Sequence, residues 1–345
     1  MRKMLATVRV PGSQFATIVM PALNEAGYIA EAVASLLPDE SAIDYELLVL
    51  DGGSSDGTPE IVAKLSAANP RIRLVHNPRR IQSAAVNIAA ETCDPRTTVL
   101  VRADCHAVYP PRFVEKCVET LIREQSSSVV VSMRAIGRTP LQNAIAATQN
   151  SRLGNGGSAH RRASRSGFVD HGHHAAFDLG TFRSLGGYDE SAPYNEDAEF
   201  DARLIGAGGR IFLDGNLSID YYPRSSLPAL ARQYFRHGWG RANTLLKHGM
   251  RPKLRQILPV LLLLGCLASI FSWPLTGWFS LLLPTAYVVA CVLWGALLAV
   301  RQGEPNLLWM GPAAVTMHMS WALGFLDRAC RTGATRFLRL RNRSA

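Results

Sequence analysis

The chain has no Cys-x-x-Cys pair: its six cysteines (Cys93, Cys105, Cys117, Cys266, Cys291 and Cys330) stand apart. That scatter argues against a zinc ribbon or a thioredoxin-like motif and suits small core residues in a reducing compartment. No Gly-x-Gly-x-x-Gly follows the first strand-like run, which argues against a nicotinamide dinucleotide. Charge is sparse, with 19% charged residues against 48% apolar ones, a composition too greasy for a disordered chain. Residues 1–14 carry basic side chains but no apolar run of secretory length, so no export signal is expected. Acid is nearly missing from the last third: residues 241–345 hold 12 Lys and Arg against only Glu304 and Asp327. Residues 1–240 balance 25 basic against 25 acidic residues, so the formal charge of +10 belongs to that last third. A nucleic-acid binder carries its positive charge on the folded domain, so no nucleic-acid partner is expected.

What is present, from Phe15 to about Phe212, is an alternation of short apolar runs and amphipathic stretches. Ala16–Met20, Tyr45–Leu50, Ile72–Val75 and Thr98–Arg102 read as four strands. Helices are expected from Asn24 to Leu37, after Thr58 (an N-cap followed by Pro59), from Ser83 to Glu91, and after Pro110-Pro111. Continuous apolar strands alternating with helices predict an α/β fold: a mostly parallel sheet with helices on both faces. In such sheets the loops at the carboxyl ends of the strands hold the site. Residues 151–167 are rich in Gly, Ser and basic residues, and read either as a solvated linker or as a loop closing over an anionic substrate.

Beyond residue 240 the pattern changes. Residues 257–273 and 278–300 contain no charge over 17 and 23 positions, lengths suited to a hydrocarbon layer of about 30 Å. Trp273 and Trp278 bracket the connection, as interfacial aromatics do. A third stretch, 307–326, is broken by Gly311-Pro312, and Arg328, Arg331, Arg336, Arg339, Arg341 and Arg343 follow it. The expected arrangement is two crossings and a re-entrant or interfacial third helix, with both ends cytoplasmic by the positive-inside rule. The domains expected are thus 1–240, folded and catalytic, and 241–345, helical and membrane-associated.

Several strand-end loops carry chemistry. Asp51-Gly52-Gly53-Ser54-Ser55-Asp56-Gly57-Thr58 pairs a carboxylate with glycines that permit close backbone approach, although Asp-Gly clusters also mark ordinary turns. Asp104 and His106 flank Cys105; a carboxylate and an imidazole suit a shared Mg²⁺ or Mn²⁺, although a lone Asp-x-His is more often a pair of surface residues. Asp170-His171-Gly172-His173-His174 suggests a metal or phosphate site, or a plain solvated loop. In Asn195-Glu196-Asp197-Ala198-Glu199-Phe200-Asp201, Asp197 and Asp201 share a helix face. There a general base and a helix start decorated with acids are both admissible.

Taken in order, Pro21-Ala22-Leu23-Asn24-Glu25, the Asp51 loop, Asp104-x-His106 and Asn195-Glu196-Asp197 resemble an inverting family 2 glycosyltransferase of the GT-A fold. The likeness covers about Thr17–Trp239, and the apolar tail extends it to membrane-bound bacterial members of the succinoglycan glucosyltransferase type. The resemblance implies that Pro21, Ala22, Asn24, Glu25 and Asp51 hold the uracil and ribose of a UDP-sugar. It also implies that Arg79, Arg80, Ser83 and Asn87 line the donor pocket. Asp104 would approach ribose and metal, His106 would replace the second aspartate of the usual Asp-x-Asp, and Asp197 would be the catalytic base. Gln233-Tyr234-Phe235-Arg236-His237-Gly238-Trp239 is similar to the Gln-x-x-Arg-Trp element of processive synthases but lacks its adjacent Arg-Trp, which favours transfer of a single sugar. Arg236 would assist the departing diphosphate. The implied reaction moves glucose from UDP-glucose to a polyprenyl-diphosphate-linked saccharide in bacterial exopolysaccharide or surface polysaccharide synthesis. It takes place at the inner membrane, beside its lipids, with the catalytic domain in the cytoplasm. The alternatives are a polyprenyl-phosphate sugar transferase and a catalytically silent scaffold of a membrane synthase complex.

Overall fold

The computed structural model describes residues 14–37, 43–156 and 166–341. Expectations for residues 1–13, for 157–165 of the Gly/Ser-rich stretch and for Arg343 lie outside the described residues, as do the side chains of His174, Arg336, Arg339 and Arg341. The chain divides into two compact units, Met1–Arg134 with Ser158–Tyr221, and Ala135–Gly157 with Tyr222–Ala345.

The first unit opens with β1 (Phe15–Ala22), α1 (Ile29–Leu36), β2 (Asp44–Asp51), α2 (Thr58–Ala68), β3 (Ile72–His76), α3 (Gln82–Thr92) and β4 (Val99–Arg102). It continues with β5 (Ala107–Val108), α4 (Phe113–Arg123), β6 (Ser128–Ala135), β7 (Gly167–Val169), β8 (His173–Asp178), α7 (Leu179–Ser184), α8 (Glu196–Gly206) and β9 (Ile211–Tyr221). Strand order is β3-β2-β1-β4-β8-β6-β9-β5, with β7 on β9. β3, β2, β1 and β4 run parallel, whereas β8 is antiparallel to both β4 and β6. Alternation along the strands sends Ile18, Met20, Leu47 and Val49 to one face, with Ile29, Val33, Val62 and Val118 of α1, α2 and α4. Val19, Leu48, Leu50 and Leu100 go to the other face, with Val86, Phe182 and Phe200 of α3, α7 and α8. Helices α3 and α8 therefore share a face of the sheet, and the parallel strands end together at Ala22, Asp51 and Arg102.

Two helix starts differ from expectation. Helix α1 begins at Ile29 rather than Asn24, because Asn24 sits at φ 59 and its side chain accepts from Ser55 N–H. Gly57, at φ 90, takes the N-cap position of α2 in place of Thr58, whose hydroxyl donates to Asp56 instead.

The second unit comprises α5 (Pro140–Asn150), α6 (Arg152–Asn155), α9 (Leu227–His248), α10 (Leu254–Phe271), α11 (Trp273–Thr276), α12 (Leu282–Gln302) and α13 (Met310–Arg341). Its division from the first is not the contiguous one at residue 240. Helix α5 packs Ala144 against Ala299 and Met310, and Ile145 against Leu230, Ala313 and Met317. Leu254–Phe271 and Trp273–Gln302 are long and apolar enough to cross a membrane, with mean hydropathy 2.0 and 2.1. Phe271, Leu275, Trp278, Phe279 and Val300 are each at least three-quarters exposed, a surface suited to lipid rather than water. Gly311-Pro312 does not break a helix but starts one: it occupies the first turn of α13, where proline's missing N–H costs nothing. Helices α9 and α13 touch backbone to backbone. A Cβ on Gly238 would fall 1.9 Å from the Trp321 carbonyl oxygen, and one on Gly324 would fall 2.0 Å from that of Phe235.

Candidate active site

The loops after β1 and β2 are latched together. Asp51, buried at the end of β2, turns its carboxylate back into its own loop: Oδ2 accepts from Gly53 N–H at 2.9 Å and Ser54 N–H at 3.1 Å, and Oδ1 from Ser54 Oγ at 2.5 Å. Ser54 Oγ in turn accepts from Asn24 N–H at 2.8 Å, Thr58 Oγ1 from Glu25 N–H at 2.8 Å, and Asp56 from Ala26 N–H at 3.0 Å. Gly52 N–H donates to the Ala22 carbonyl at 2.9 Å, and the Pro21 carbonyl accepts from the Cys105 thiol at 3.4 Å. Arg80 clamps the glycine turn through the Gly52 and Gly53 carbonyls at 2.7 and 3.1 Å. These contacts give the carboxyl edge of the sheet a fixed rim before any ligand arrives.

Helix α3 supplies one wall. Ser83 is buried in its first turn, and Gln82 Nε2 donates to Asp104 Oδ1 at 3.2 Å. Asn87 donates to the Tyr188 carbonyl and to Glu190, and accepts from Tyr188 N–H at 2.8 Å, while Arg79 pairs with Glu190. Asn87 on α3 and Arg79 just before it, two of the four residues expected to line the donor pocket, thus fasten the Gly186–Glu190 turn.

At the centre lies Arg102, 6% exposed, facing three acids. Its Nε is 3.7 Å from Asp104 Oδ1, and its Nη1 is 3.5 Å from Glu196 Oε1 and 3.9 Å from Asp197 Oδ2. Nη1 also donates to Tyr188 Oη at 3.3 Å. Asn195, at φ 64, turns the chain so that Glu196 and Asp197 stand in the first turn of α8. An aromatic cluster of Phe177, Phe182, Tyr188 and Phe200 seats that helix. Burial opposes charge on Asp104, but Arg102 first, then His173 and His106, outweigh it and hold its carboxyl below the usual range. Burial, and then the neighbouring Asp197 charge, push the Glu196 carboxyl up to about 7 against the pull of Arg102.

The imidazole on Asp104 is His173, with Nε2 3.3 Å from Oδ2. The sequence points instead to His106, two residues from Asp104. Its ring packs on Tyr28 at 4.8 Å, and its Nε2 lies 3.0 Å from Glu25 Oε1, so it faces the loop after β1. The structure thus brings together Asn24, Glu25, Asp51, Arg79, Ser83, Asn87, Asp104, His106 and Asp197 within the first unit, whereas Arg236 lies on α9 of the second. Arg102 and Gln82 join them without having been assigned a role from sequence, and His173 and Glu196 join them from the histidine-rich and acidic segments. The signal for Arg102 was its spacing: two residues after Leu100, it shares the sheet face that α8 covers. Among the described residues no three His, Cys, Asp or Glu side chains are grouped to hold a metal ion.

The model of the family described as glycosyl transferase family 2 matches residues 17–185. Over 311 residues, covering 89% of this chain and 93% of the relative, the sequence is 40% identical to the succinoglycan biosynthesis protein ExoA of Rhizobium meliloti (strain 1021). Over 333 residues, 93% of this chain and 99% of the relative, it is 22% identical to a dolichyl N-acetyl-alpha-D-glucosaminyl phosphate 3-beta-D-2,3-diacetamido-2,3-dideoxy-beta-D-glucuronosyltransferase of Methanococcus voltae. Among solved structures, the mannosyltransferase PcManGT from Pyrobaculum calidifontis, in complex with GDP-Man and Mn²⁺, shares the fold: TM-score 0.55, 20% identity, 91% of this chain and 86% of that one covered. The chain belongs to glycosyl transferase family 2 and is a glycosyltransferase of the GT-A fold.

Proposed function

We propose that the chain is an inverting transferase that moves one sugar, glucose, from a UDP-sugar to a polyprenyl-diphosphate-linked saccharide during surface polysaccharide synthesis. The observation that carries the chemistry is the Arg102 knot: one buried guanidinium holds Asp104, a donor-side acid at a strand end, beside Asp197 at a helix start. Donor binding falls to the latched rim of Pro21–Glu25 and Asp51, to the α3 wall and to Asp104. Asp197 takes the proton of the acceptor hydroxyl as that oxygen attacks C1 of the sugar from the side opposite UDP, so an α-linked donor gives a β-linked product.

The donor set fits a Mg²⁺ or Mn²⁺ ion of the kind that takes one protein carboxylate and completes its shell with phosphate oxygens and water. Asp104 would hold it, and His106, whose Nε2 faces Glu25, would join through Nδ1. When bound, the ion neutralises charge on the departing diphosphate.

The name of the relative at 40% identity, succinoglycan biosynthesis protein, supports the polysaccharide setting. The two apolar helices and the basic residues around them support a place in the inner membrane with the catalytic unit in the cytoplasm. Anchoring there confines the enzyme to the surface on which a lipid-linked acceptor diffuses, and lysine or arginine near anionic headgroups adds about 1 kcal/mol each. The test is a donor screen: membranes bearing the full chain, a panel of nucleotide sugars, and polyprenyl phosphate against a polyprenyl-diphosphate-linked hexose, with and without Mn²⁺. A β-linked disaccharide on the diphosphate carrier is expected. Transfer to polyprenyl phosphate alone would select the other acceptor class, and a retained α-configuration would overturn the mechanism.

A further inference from the structure

Asp104 sits in the connection Ala103–His106 between β4 and β5, and every residue of that connection is tied down. Ala103 N–H donates to the Val19 carbonyl at 2.9 Å, the Cys105 thiol donates to the Pro21 carbonyl, and His106 faces Glu25. The backbone of Asp104 is held by a single group. The Tyr109 hydroxyl accepts from Asp104 N–H at 2.6 Å and donates to the Asp104 carbonyl at 3.0 Å. A phenol carries one proton and acceptor lone pairs, so it can serve the donor and the acceptor of one residue together. The two bonds restrain both soft dihedrals of Asp104, and with them the direction in which its side chain leaves the strand end. Tyr109 is itself well anchored. It is 5% exposed, its ring lies 4.8 Å from that of Phe113, and its N–H donates to Ser35 Oγ on α1 at 3.1 Å. Pro110-Pro111 stiffen the chain directly after it. Beyond the clasp, the Asp104 carboxylate is steadied at both oxygens, by Gln82 Nε2 on Oδ1 and by His173 Nε2 on Oδ2.

We propose that Tyr109 is a positioning residue for the transfer: its hydroxyl holds Asp104 in its donor-binding pose before the nucleotide sugar and its divalent ion arrive. The inference rests on the proposed reading of Asp104 as the donor-side acid that holds the ion. Tyr109 needs no contact with substrate or ion, because it acts through Asp104. Phenylalanine would fill the same core position without a hydroxyl to desolvate, and the hydroxyl spends an accepted and a donated bond on this one acid. A group ordered in advance spares the ligand the cost of ordering it, so loss of the clasp shows in donor affinity.

Tyr109→Phe removes the clasp and keeps the ring against Phe113. The full chain, purified in detergent, is titrated with UDP by calorimetry in the presence and absence of Mn²⁺, and thermal melts check that each variant is folded. Loss of the clasp predicts that Tyr109→Phe weakens UDP binding about tenfold when Mn²⁺ is present. Asp104→Asn should lose most of the affinity that Mn²⁺ adds to UDP. Adding Tyr109→Phe to Asp104→Asn should then weaken UDP binding no further, because a group that acts through that carboxylate has nothing left to act on. Two results would assign the hydroxyl to stability alone and overturn the proposal. One is a Tyr109→Phe variant that melts lower but binds UDP with Mn²⁺ as wild type does. The other is an equal loss from Tyr109→Phe whether residue 104 is Asp or Asn. Failure of the underlying reading looks different: Asp104→Asn would bind UDP with Mn²⁺ as tightly as wild type, and the proposal would fall with it.

Discussion

Arg102 Nη1 lies 3.5 Å from Glu196 Oε1, one residue before the proposed base. The guanidinium closes an apolar strand, Val99-Leu100-Val101, and meets carboxylates from its own strand end and from the first turn of α8. A charge buried this deeply persists only when it is paired, and here one cation faces three carboxyl groups. Arg102 is thus the group through which Asp104 at the strand end and Glu196 and Asp197 at the helix start are held in one geometry.

Arg102→Met should be costly. It leaves Asp104, Glu196 and Asp197 without the cation they face, and breaking a buried pair in this way costs about 3–5 kcal/mol. Thermal melts in detergent at pH 8 should fall accordingly. As the pH drops, the stranded acids of the variant take up protons, so the gap to wild type should narrow. Equal melting temperatures at pH 8 would contradict the account.

Glu196 should set a pH slope of its own. Its folded carboxyl, at about 7, lies above the ordinary 4.5. The folded state therefore holds a proton that the unfolded chain has already released between those values, and stability falls as pH rises through that window. Glu196→Gln should melt with wild type near pH 4.5 and above it at pH 8. A variant that melts below wild type at pH 8 would count against this assignment.

Gly238→Val should disrupt the second unit. The added Cβ meets the Trp321 carbonyl at 1.9 Å, and a helix backbone does not swing aside as a flexible side-chain tip does. Overpacking of this kind costs about 1–3 kcal/mol or more, and the folded yield in detergent should drop. Gly206→Ala is the control: nothing lies within 4 Å of its Cβ, so its melting temperature should stay at or slightly above wild type.

The parallel half of the sheet was legible because its strands are continuous apolar runs. Ala16–Met20 and Tyr45–Leu50 needed only extension to Phe15–Ala22 and Asp44–Asp51. The antiparallel half was not, since nothing local to β6, β8 or β9 specifies that β8 inserts between β4 and β6. Asp51, Asp104 and Asp197 stood out as acids at strand ends and at a helix start. Their partners did not: Asp104 meets a histidine 69 positions along the chain, and the nearer His106 turns to Glu25. Charge-free length revealed the two membrane-length helices, but residue 240 looked like a boundary because hydropathy does not register that α5 packs with α9, α12 and α13.

The most direct test is Asp197→Asn, nearly isosteric and still able to accept a hydrogen bond but unable to take a proton. UDP binding should stay within about twofold of wild type while transfer to the lipid-linked hexose falls by at least about a hundredfold, the usual scale of a lost general base. Near-normal transfer by this variant would remove Asp197 from the role of base.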